Sequence, residues 1–191
     1  MEFINKNTIK LDKIGTELDD FAFKFCSILE KHTKYTVVSG YVSILFGRAR
    51  ASEDIDIFIE ILDKLRFYNL YKDLEKNNYE CITADIETAF ENLNDRIPIR
   101  FAKKGKFIPN TEIKFAKKQI DKISLFDNLK VITPFGHIYI SNIEQQIAFK
   151  KVCLGSNKDI EDALHLEKVF KENIDKNKIK EYEKRLKKEL F

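Results

Sequence analysis

Two aspartates, Asp54 and Asp56, have the spacing that most directly indicates chemistry. The segment Asp-Ile-Asp-Ile-Phe-Ile-Glu alternates polar and apolar residues, which predicts a β-strand over residues 54–60. Residues i and i+2 of a strand face the same side, so the two carboxylates share one site. Carboxylate oxygens are ligands that Mg²⁺ prefers, and a pair of such ions can stabilise the attacking and leaving oxygens of a phosphoryl transfer. The pair therefore predicts a Mg²⁺ site, which we expect to hold two ions.

A small-residue turn, Ser39-Gly40, precedes this pair by fourteen residues. It ends a short predicted strand at 35–40 and precedes a short predicted helix at 41–46 that is closed by Gly47. Free backbone N–H groups, a hydroxyl and the positive end of a helix dipole then converge where an anion could bind. Arg50 and Ser52 lie between the turn and the aspartates, and we expect them to contact the same phosphate groups.

A third carboxylate would complete the metal site from a later strand. Asp85, Asp95 and Glu112 are the candidates. Glu112 fits best, because Thr-Glu-Ile-Lys-Phe-Ala is predicted to be the second strand of a hairpin, where it can reach Asp54 and Asp56. An exposed acid opposite Lys114 is the alternative interpretation of Glu112.

The last third of the chain contains a second group of charged residues. Ile143, Ile147 and Leu154 form an apolar stripe at helical spacing, and Lys150 falls inside it. A lysine on an apolar face must either extend its ammonium group to solvent or find an anion. Asp159 and Asp162 stand three apart at the start of the next helix, where they share one face. Stabilisation of the helix N-terminus is the alternative role for these two acids.

The elements that must position these residues alternate between helix and strand up to about residue 140 and are helical thereafter. This pattern predicts an α+β fold: a mixed sheet with flanking helices in a domain at 1–140, followed by a helical bundle domain at 141–191. Further predicted strands are 79–82, 97–102, 112–116, 130–133 and 137–140. Predicted helices are 16–32, 64–77, 86–93, 143–154, 158–171 and 175–190.

Composition excludes several classes of protein. The chain has 191 residues, 43% of them hydrophobic, and a formal net charge of +3, which is unlike a histone-type polycation or an acidic disordered chain. We expect no membrane span and no signal peptide, because no sufficiently long apolar run occurs. Three scattered cysteines predict neither a disulfide framework nor a zinc site, so a cytoplasmic location is expected.

Charge is segregated along the chain even though the total is small. Residues 53–95 contain twelve acids and four bases, whereas residues 100–122 contain eight bases and two acids. The acidic segment contains the predicted metal site. The basic segment is typical of a surface for a polyanion, although two solvated faces without a partner are the alternative.

Taken together, the strand, the Ser39-Gly40 turn, the short helix, Arg50-x-Ser52 and Asp54-x-Asp56 resemble the DNA polymerase β-like nucleotidyltransferase superfamily. Its turn usually reads Gly-Gly or Gly-Ser, so this chain departs mildly. Ala148-Phe-Lys150 and Lys158-Asp-Ile-Glu-Asp162 are similar to the third and fourth motifs of the AbiEii-type branch, the toxin half of abortive-infection and toxin–antitoxin systems. The resemblance implies that Lys150 contacts the nucleotide, that Asp159 is a catalytic base or organises the site, and that Asp162 supports it.

The resemblance leads to one expected function and two alternatives. We expect a Mg²⁺-dependent, toxin-like nucleotidyltransferase that transfers NMP from an NTP to a hydroxyl of RNA, such as tRNA, or of a protein, with a cognate antitoxin as a candidate partner. A non-catalytic nucleotide- or RNA-binding module is the first alternative, and it would be favoured if Glu112 pointed away from Asp54. An antibiotic nucleotidyltransferase is the second, and it would favour an acidic pocket for a cationic drug.

Overall fold

The structure of the chain, a computed structural model, describes residues 1–190 and the side chains of residues 1–188. Phe191, the last residue of the predicted helical domain, lies outside the described residues. Within residues 1–190 the strands are β1 (Glu2–Asn5), β2 (Thr8–Lys10), β3 (Tyr35–Val38), β4 (Asp54–Ile59), β5 (Tyr79–Cys81), β6 (Ile99–Lys103), β7 (Asn110–Phe115), β8 (Asn128–Thr133) and β9 (Gly136–Ser141). The α-helices are α1 (Glu17–His32), α2 (Gly40–Leu45), α3 (Lys64–Lys76), α4 (Ile86–Asn94), α5 (Gln119–Phe126), α6 (Ile143–Phe149), α7 (Asn157–Val169) and α8 (Lys176–Leu190).

All of these strands form one mixed sheet in the order β1-β2-β8-β9-β3-β4-β7-β6-β5. The strands that carry the candidate site lie next to each other: β4 is antiparallel to β3 and parallel to β7, and β6 is antiparallel to β7. The ends of β3 and β6 and the beginnings of β4 and β7 therefore meet at one edge of the sheet. This confirms the predicted α+β class with a mixed sheet and flanking helices.

Alternation along β4 and β7 separates a core face from a site face. Ile55, Ile57 and Ile59 of β4 are buried, whereas Asp54 and Asp56 point to the opposite side and are half-buried. Helix α1 packs against β3 and β9 with Phe21, Phe25 and other apolar residues in the core. On the site face, Ile120 and Ser124 of α5 line a cavity together with Asp56 and Phe58.

Helix α1 begins with a capping box whose acid also connects it to α2. Thr16 Oγ1 accepts a hydrogen bond from the backbone N–H of Asp19, and the Asp19 carboxylate accepts one from the N–H of Thr16. The same buried carboxylate lies 2.7 Å from Lys13 Nζ and accepts a hydrogen bond of 2.8 Å from the Tyr41 hydroxyl. Asp19 therefore fixes the position of Tyr41, the residue after Gly40.

Three elements have no counterpart in the sequence prediction. The hairpin of β1 and β2 is stabilised by parallel pairing of Thr8–Lys10 with Lys130–Ile132, a partner more than a hundred residues away. The third is α5, which follows the long basic segment and whose buried side chains are Ile120, Ser124 and Leu125. Short elements of this kind are stable because of tertiary contacts, which local propensity does not contain.

The chain is helical after the sheet ends at Ser141, and α8 packs against α6. The boundary between residues 140 and 141 remains a prediction. The predicted helix 143–154 is interrupted: α6 ends at Phe149 and a π-helical turn runs over Lys150–Leu154. Leu154 is exposed, so the predicted apolar stripe is wrong at that residue. Within the described residues no helix is long and apolar enough to cross a membrane.

Candidate active site

Asp54 and Asp56 lie where β4 begins, at the edge of the sheet where β3 ends. In the ladder Asp56 is opposite Val38 of β3 and opposite Glu112 of β7. The Ser52 hydroxyl contacts the backbone oxygen of Asp54 at 3.1 Å and its Oδ1 at 3.4 Å. Ser52 therefore orients Asp54, and a contact of Ser52 with phosphate stays a prediction.

The electrostatics around Asp56 favour binding of a cation. Burial raises the pKa of Asp56 above its usual range, and the neighbouring carboxylates of Glu112 and Asp54 raise it further. Lys114 and the Ser39 hydroxyl lower the pKa, but they do not outweigh burial. The carboxylates of Asp54 and Asp56 are hard oxygen donors on one strand face, which is the ligand chemistry that Mg²⁺ prefers. Because burial makes their negative charge unfavourable, a bound cation would stabilise it. Asp54 and Asp56 therefore fit the predicted metal.

Glu112 lies on the same face of the sheet as Asp56, but bases surround it. Arg100 of β6, directly opposite in the ladder, donates to Glu112 Oε2 at 2.7 and 3.1 Å, and Lys114 Nζ lies 2.6 Å from Oε1. Burial alone would raise the pKa of Glu112, but hydrogen bonds from Lys114 and Arg100 hold it below its usual range. Among the described residues, no three Asp, Glu, His or Cys side chains converge as a metal site. In this conformation Glu112 is an ion-pair partner beside the aspartate pair.

The other two candidates for a third carboxylate are helix caps. Asp85 is the N-cap of α4 and accepts a hydrogen bond of 3.0 Å from the N–H of Thr88. Asp95 is the C-cap of the same helix. Neither position is at the edge of the sheet where β4 begins, so Glu112 is the candidate that the structure brings next to Asp56.

The Ser39-Gly40 turn lies beside Asp56 and is positioned by a residue that sequence reasoning missed. Ser39 has φ 65° and ψ −137°, and its N–H donates to Oε1 of the buried Gln146 at 3.2 Å. Gln146 follows Ile143 by three residues, so the available signal was a polar side chain on the apolar face of α6. Helix α2 starts at Gly40 and has six residues, too short for a strong dipole.

Arg50 supplies the positive charge at this turn. A Cβ built on Gly40 would lie 3.0–3.1 Å from the guanidinium atoms of Arg50. The glycine is therefore required for close approach of the guanidinium to the backbone, not for an unusual backbone angle. Arg50 Nη1 is also 2.7 Å from Oδ2 of Asp162. Arg50 thus connects the turn to the helical part of the chain.

Asp162 of α7 lies at the centre of a cluster of three bases. The carboxylate is fully buried, and its Oδ2 lies 2.7 Å from both Lys150 Nζ and Arg50 Nη1. Its Oδ1 forms an ion pair with Arg48 Nη1 at 2.7 Å. Arg48 also contacts Glu161 at 2.6 Å. Sequence reasoning did not select Arg48, although the spacing Arg48-x-Arg50 indicated it.

Lys150 has found an anion rather than extending to solvent. It is fully buried, and its Nζ also lies 3.8 Å from Oδ1 of Asp159. Asp159 occupies the first turn of α7, where its N–H donates to the hydroxyl of the N-cap Ser156. The structure therefore brings Lys150, Asp159 and Asp162 together, and it joins them to Gly40 through Arg50. The partners of Lys150 in the structure are the two acids, and its contact with the nucleotide stays a prediction.

A cavity of about 230 Å³ opens next to Ser39 and Asp56. Its lining combines apolar residues, among them Ile120 of α5, Phe149 of α6 and Leu154, with polar ones that include Asp56, Lys114 and Gln145. A mainly apolar lining with a few polar groups is typical of small-molecule sites.

The basic segment 100–122 is divided between the two ends of β7. Lys117 and Lys118 follow the end of the strand, whereas Lys104 and Lys106 are exposed in the connection to its beginning. Phe107, in that same connection, is 76% exposed and precedes Asn110, which pairs with Asp54. Lys103 lies on the opposite face of the sheet, with its Nζ 3.6 Å from the centre of the Tyr79 ring. The hairpin tip, Lys104 to Ile108, is thus the exposed basic part at the end of the sheet where Asp54 lies, whereas Arg100 and Lys114 lie on the site face itself.

Comparisons with known proteins agree with this geometry at the level of the fold. No protein-family model matches the chain, and no curated protein matches it. Among solved structures, it is similar to the crystal structure of an antigenic nucleotidyltransferase-like protein from Paracoccidioides brasiliensis. The TM-score is 0.55 at 14% identity, over 91% of this chain and 88% of that chain. The chain therefore has the fold of a nucleotidyltransferase-like protein.

Proposed function

We propose that this chain is a Mg²⁺-dependent nucleotidyltransferase that transfers NMP from an NTP to a hydroxyl of RNA. The observation that carries the proposal is the meeting of Asp54 and Asp56 with the Ser39-Gly40 turn at one edge of the sheet, with the Arg50 guanidinium against Gly40. The carboxylates of Asp54 and Asp56, which can bind a metal ion, thus lie beside the Arg50 guanidinium and the Ser39 hydroxyl, which can bind phosphate. The similarity of fold to a nucleotidyltransferase-like protein supports the same reaction class.

In this proposal the triphosphate binds over Gly40. Arg50 Nη1 donates to Asp162 and Nε donates to the backbone oxygen of Ala51, so Nη2 is the guanidinium nitrogen that can donate to phosphate. The Ser39 hydroxyl is a further donor. Asp162 holds Arg50 in place from the buried side, and Lys150 and Arg48 offset the remaining charge of that carboxylate. Direct contact between Lys150 and the nucleotide is not part of this proposal, because the side chain is buried against Asp162.

Mg²⁺ bound by Asp54 and Asp56 would neutralise charge on the phosphate oxygens during transfer. The acceptor hydroxyl attacks the α-phosphorus, the bond to the β-phosphate oxygen breaks, and pyrophosphate leaves. The proton of the acceptor passes to a carboxylate of the aspartate pair. Ser52 and the β-ladder hold these carboxylates in position before substrate binds, so little reorganisation is needed.

The cavity beside Ser39 suits the nucleoside part of the NTP. Its apolar wall of Ile120, Phe149 and Leu154 can cover the face of a base, while the phosphates extend toward Asp56.

RNA is the acceptor class that the surface next to Asp54 favours. The hairpin tip combines the exposed lysines Lys104 and Lys106 with the exposed ring of Phe107. Lysines neutralise phosphates, and an exposed aromatic ring is a stacking platform for an unpaired base. A cationic drug would be repelled by these lysines, which argues against an antibiotic as the acceptor.

The test is transfer of label from each α-labelled NTP to total cell RNA in the presence of Mg²⁺. We expect labelled RNA with the native chain and none with Asp54→Asn/Asp56→Asn. The double variant Glu91→Gln/Glu172→Gln removes two exposed acids outside the site and should retain full transfer. Full activity of the Asp54/Asp56 variant would refute the assignment.

Two finer aspects of the proposal have their own readouts. If the chain is an AbiEii-type toxin, its expression inhibits growth, and the Asp54/Asp56 variant is harmless. A non-catalytic binding module would instead bind NTP without releasing pyrophosphate. Glu112 lies beside Asp56 on the same sheet face, but its carboxylate is paired with Arg100 and Lys114, so pyrophosphate release is the measurement that separates the two functions.

A further inference from the structure

Lys114 lies between two of the three acids that the candidate site contains. Its Nζ is 2.6 Å from Glu112 Oε1 and 3.9 Å from Asp56 Oδ1. The position is imposed by the sheet: Glu112 and Lys114 are two apart on β7, so both face the site, and Asp56 is the direct ladder partner of Glu112. The ammonium group therefore bridges adjacent strands on the face that carries the metal ligands.

Arg100 compensates the other oxygen of Glu112. It is the ladder partner of Glu112 on the β6 side and donates twice to Oε2, while Lys114 contacts Oε1. Both oxygens of Glu112 are thus paired with basic side chains. For Glu112 to bind a divalent ion, one of these charge-assisted contacts would have to break.

The charges on this face match one divalent ion better than two. Asp54, Asp56 and Glu112 contribute three negative charges, and Arg100 and Lys114 offset two of them. The five groups together carry a net charge of −1, and the negative charge lies with Asp54 and Asp56. A second divalent ion would be held within a few ångströms of the Lys114 ammonium, where repulsion is strong.

From this arrangement we infer that Lys114 is a built-in cation that takes the place of a second metal ion. The protein itself then binds one divalent ion, through Asp54 and Asp56. Glu112 positions Lys114 and is not a metal ligand. The inference deepens the proposed function and rests on it for the role of the cation, but the number of ions can be measured without any reaction.

The experiment is a titration of the nucleotide-free protein with Mn²⁺, followed by electron paramagnetic resonance of the unbound ion. We expect one Mn²⁺ per native chain, and one for Glu112→Gln with an affinity within about threefold of native. Lys114→Met should bind two, because three carboxylates then lack the bridging ammonium. Lys114→Arg restores a cation and should return the number to one.

Lys103→Met is the matched control, because it removes one lysine from the neighbouring strand on the opposite sheet face. It should bind one Mn²⁺, so a general change of charge is separated from the local effect. Two ions on the native chain, one on Lys114→Met, or no binding at all would each overturn the inference. Transfer of NMP tests the proposed function separately: an active native enzyme that binds two ions contradicts only the role of Lys114.

Discussion

The buried carboxylate of Asp162 lies 2.7 Å from the Nζ of Lys150, and neither side chain is exposed to solvent. The pair joins the π-helical turn that starts at Lys150 to helix α7, and through Arg50 it reaches the Ser39-Gly40 turn. A contact between helices in the last quarter of the chain therefore positions an arginine at the edge of the sheet.

Replacing Asp162 with Asn should strongly destabilise the fold. Three bases would face a neutral amide, two of them at least four-fifths buried and the third, Lys150, wholly so. Removing one partner of a buried ion pair costs about 3–5 kcal/mol. Urea unfolding measures the loss. Glu161→Gln, which removes the neighbouring exposed acid that pairs with Arg48, should cost less than about 1 kcal/mol. Similar losses for the two variants would contradict the central role of Asp162.

Gly40→Ala should leave the fold intact but weaken nucleotide binding. Gly40 is the first residue of α2, where the helix itself tolerates alanine, so any loss of stability should come from the shift of Arg50 against Asp162 and stay below the about 3–5 kcal/mol expected for Asp162→Asn. The added methyl displaces the Arg50 guanidinium, whose atoms lie 3.0–3.1 Å from the Cβ position. A lost charged hydrogen bond is worth about 1.5–3 kcal/mol, which is roughly a tenfold or larger rise in Kd.

Calorimetric titration with an NTP analogue that carries a methylene bridge between its α and β phosphorus atoms measures this effect. Gly47→Ala is unsuitable as a control, because Gly47 has φ +92° and alanine would be strained there. Gly15→Ala is preferable, since its Cβ would meet the ring of Phe135, outside the site. If Gly40→Ala binds the analogue with unchanged affinity, Arg50 does not bind the phosphates.

Lys104→Ala/Lys106→Ala/Phe107→Ala should weaken the use of RNA without affecting NTP binding. One stacked base contributes about 1–3 kcal/mol, and each phosphate contact adds to the salt dependence. We expect KM for RNA to rise by about tenfold or more and to vary less steeply with salt. Lys187→Ala/Lys188→Ala, which removes two exposed lysines from the end of α8, is the control. If both variants use RNA equally well, the hairpin tip does not contact the acceptor.

Asp19→Asn should lower stability in a pH-dependent manner. Burial raises the pKa of Asp19, but hydrogen bonds from Lys13, Thr16 and Tyr41 outweigh it and hold the pKa below its usual range. A lowered folded-state pKa stabilises the protein above the unfolded-state pKa, and this contribution is lost as pH falls through the folded-state value. The variant should therefore lose about 1.5–3 kcal/mol at neutral pH and progressively less below about pH 4. Urea unfolding at several pH values checks it, and a constant difference would contradict the assignment.

Local pattern was sufficient for much of the fold. The alternation in β4, the amphipathic spacing of α1 with its Thr16 cap, and the glycine at the start of α2 are each encoded within about a dozen residues. Such patterns predicted the α+β class and placed Asp54 and Asp56 on one strand face. The hairpin of β1 and β2 escaped prediction because its pairing partner is β8, far away in the sequence.

By itself, then, the sequence determined which residues share a strand face or a helix turn: Asp54 with Asp56, and Asp159 with Asp162. Tertiary structure decided what each one meets. It placed Arg100 on Glu112, brought Gln146 to the N–H of Ser39, and gathered three bases around Asp162. The physical reason is that periodicity fixes neighbours three or four residues apart on a helix and two apart on a strand. The partner of a buried charge, in contrast, comes from wherever the fold brings an opposite charge close enough to offset desolvation.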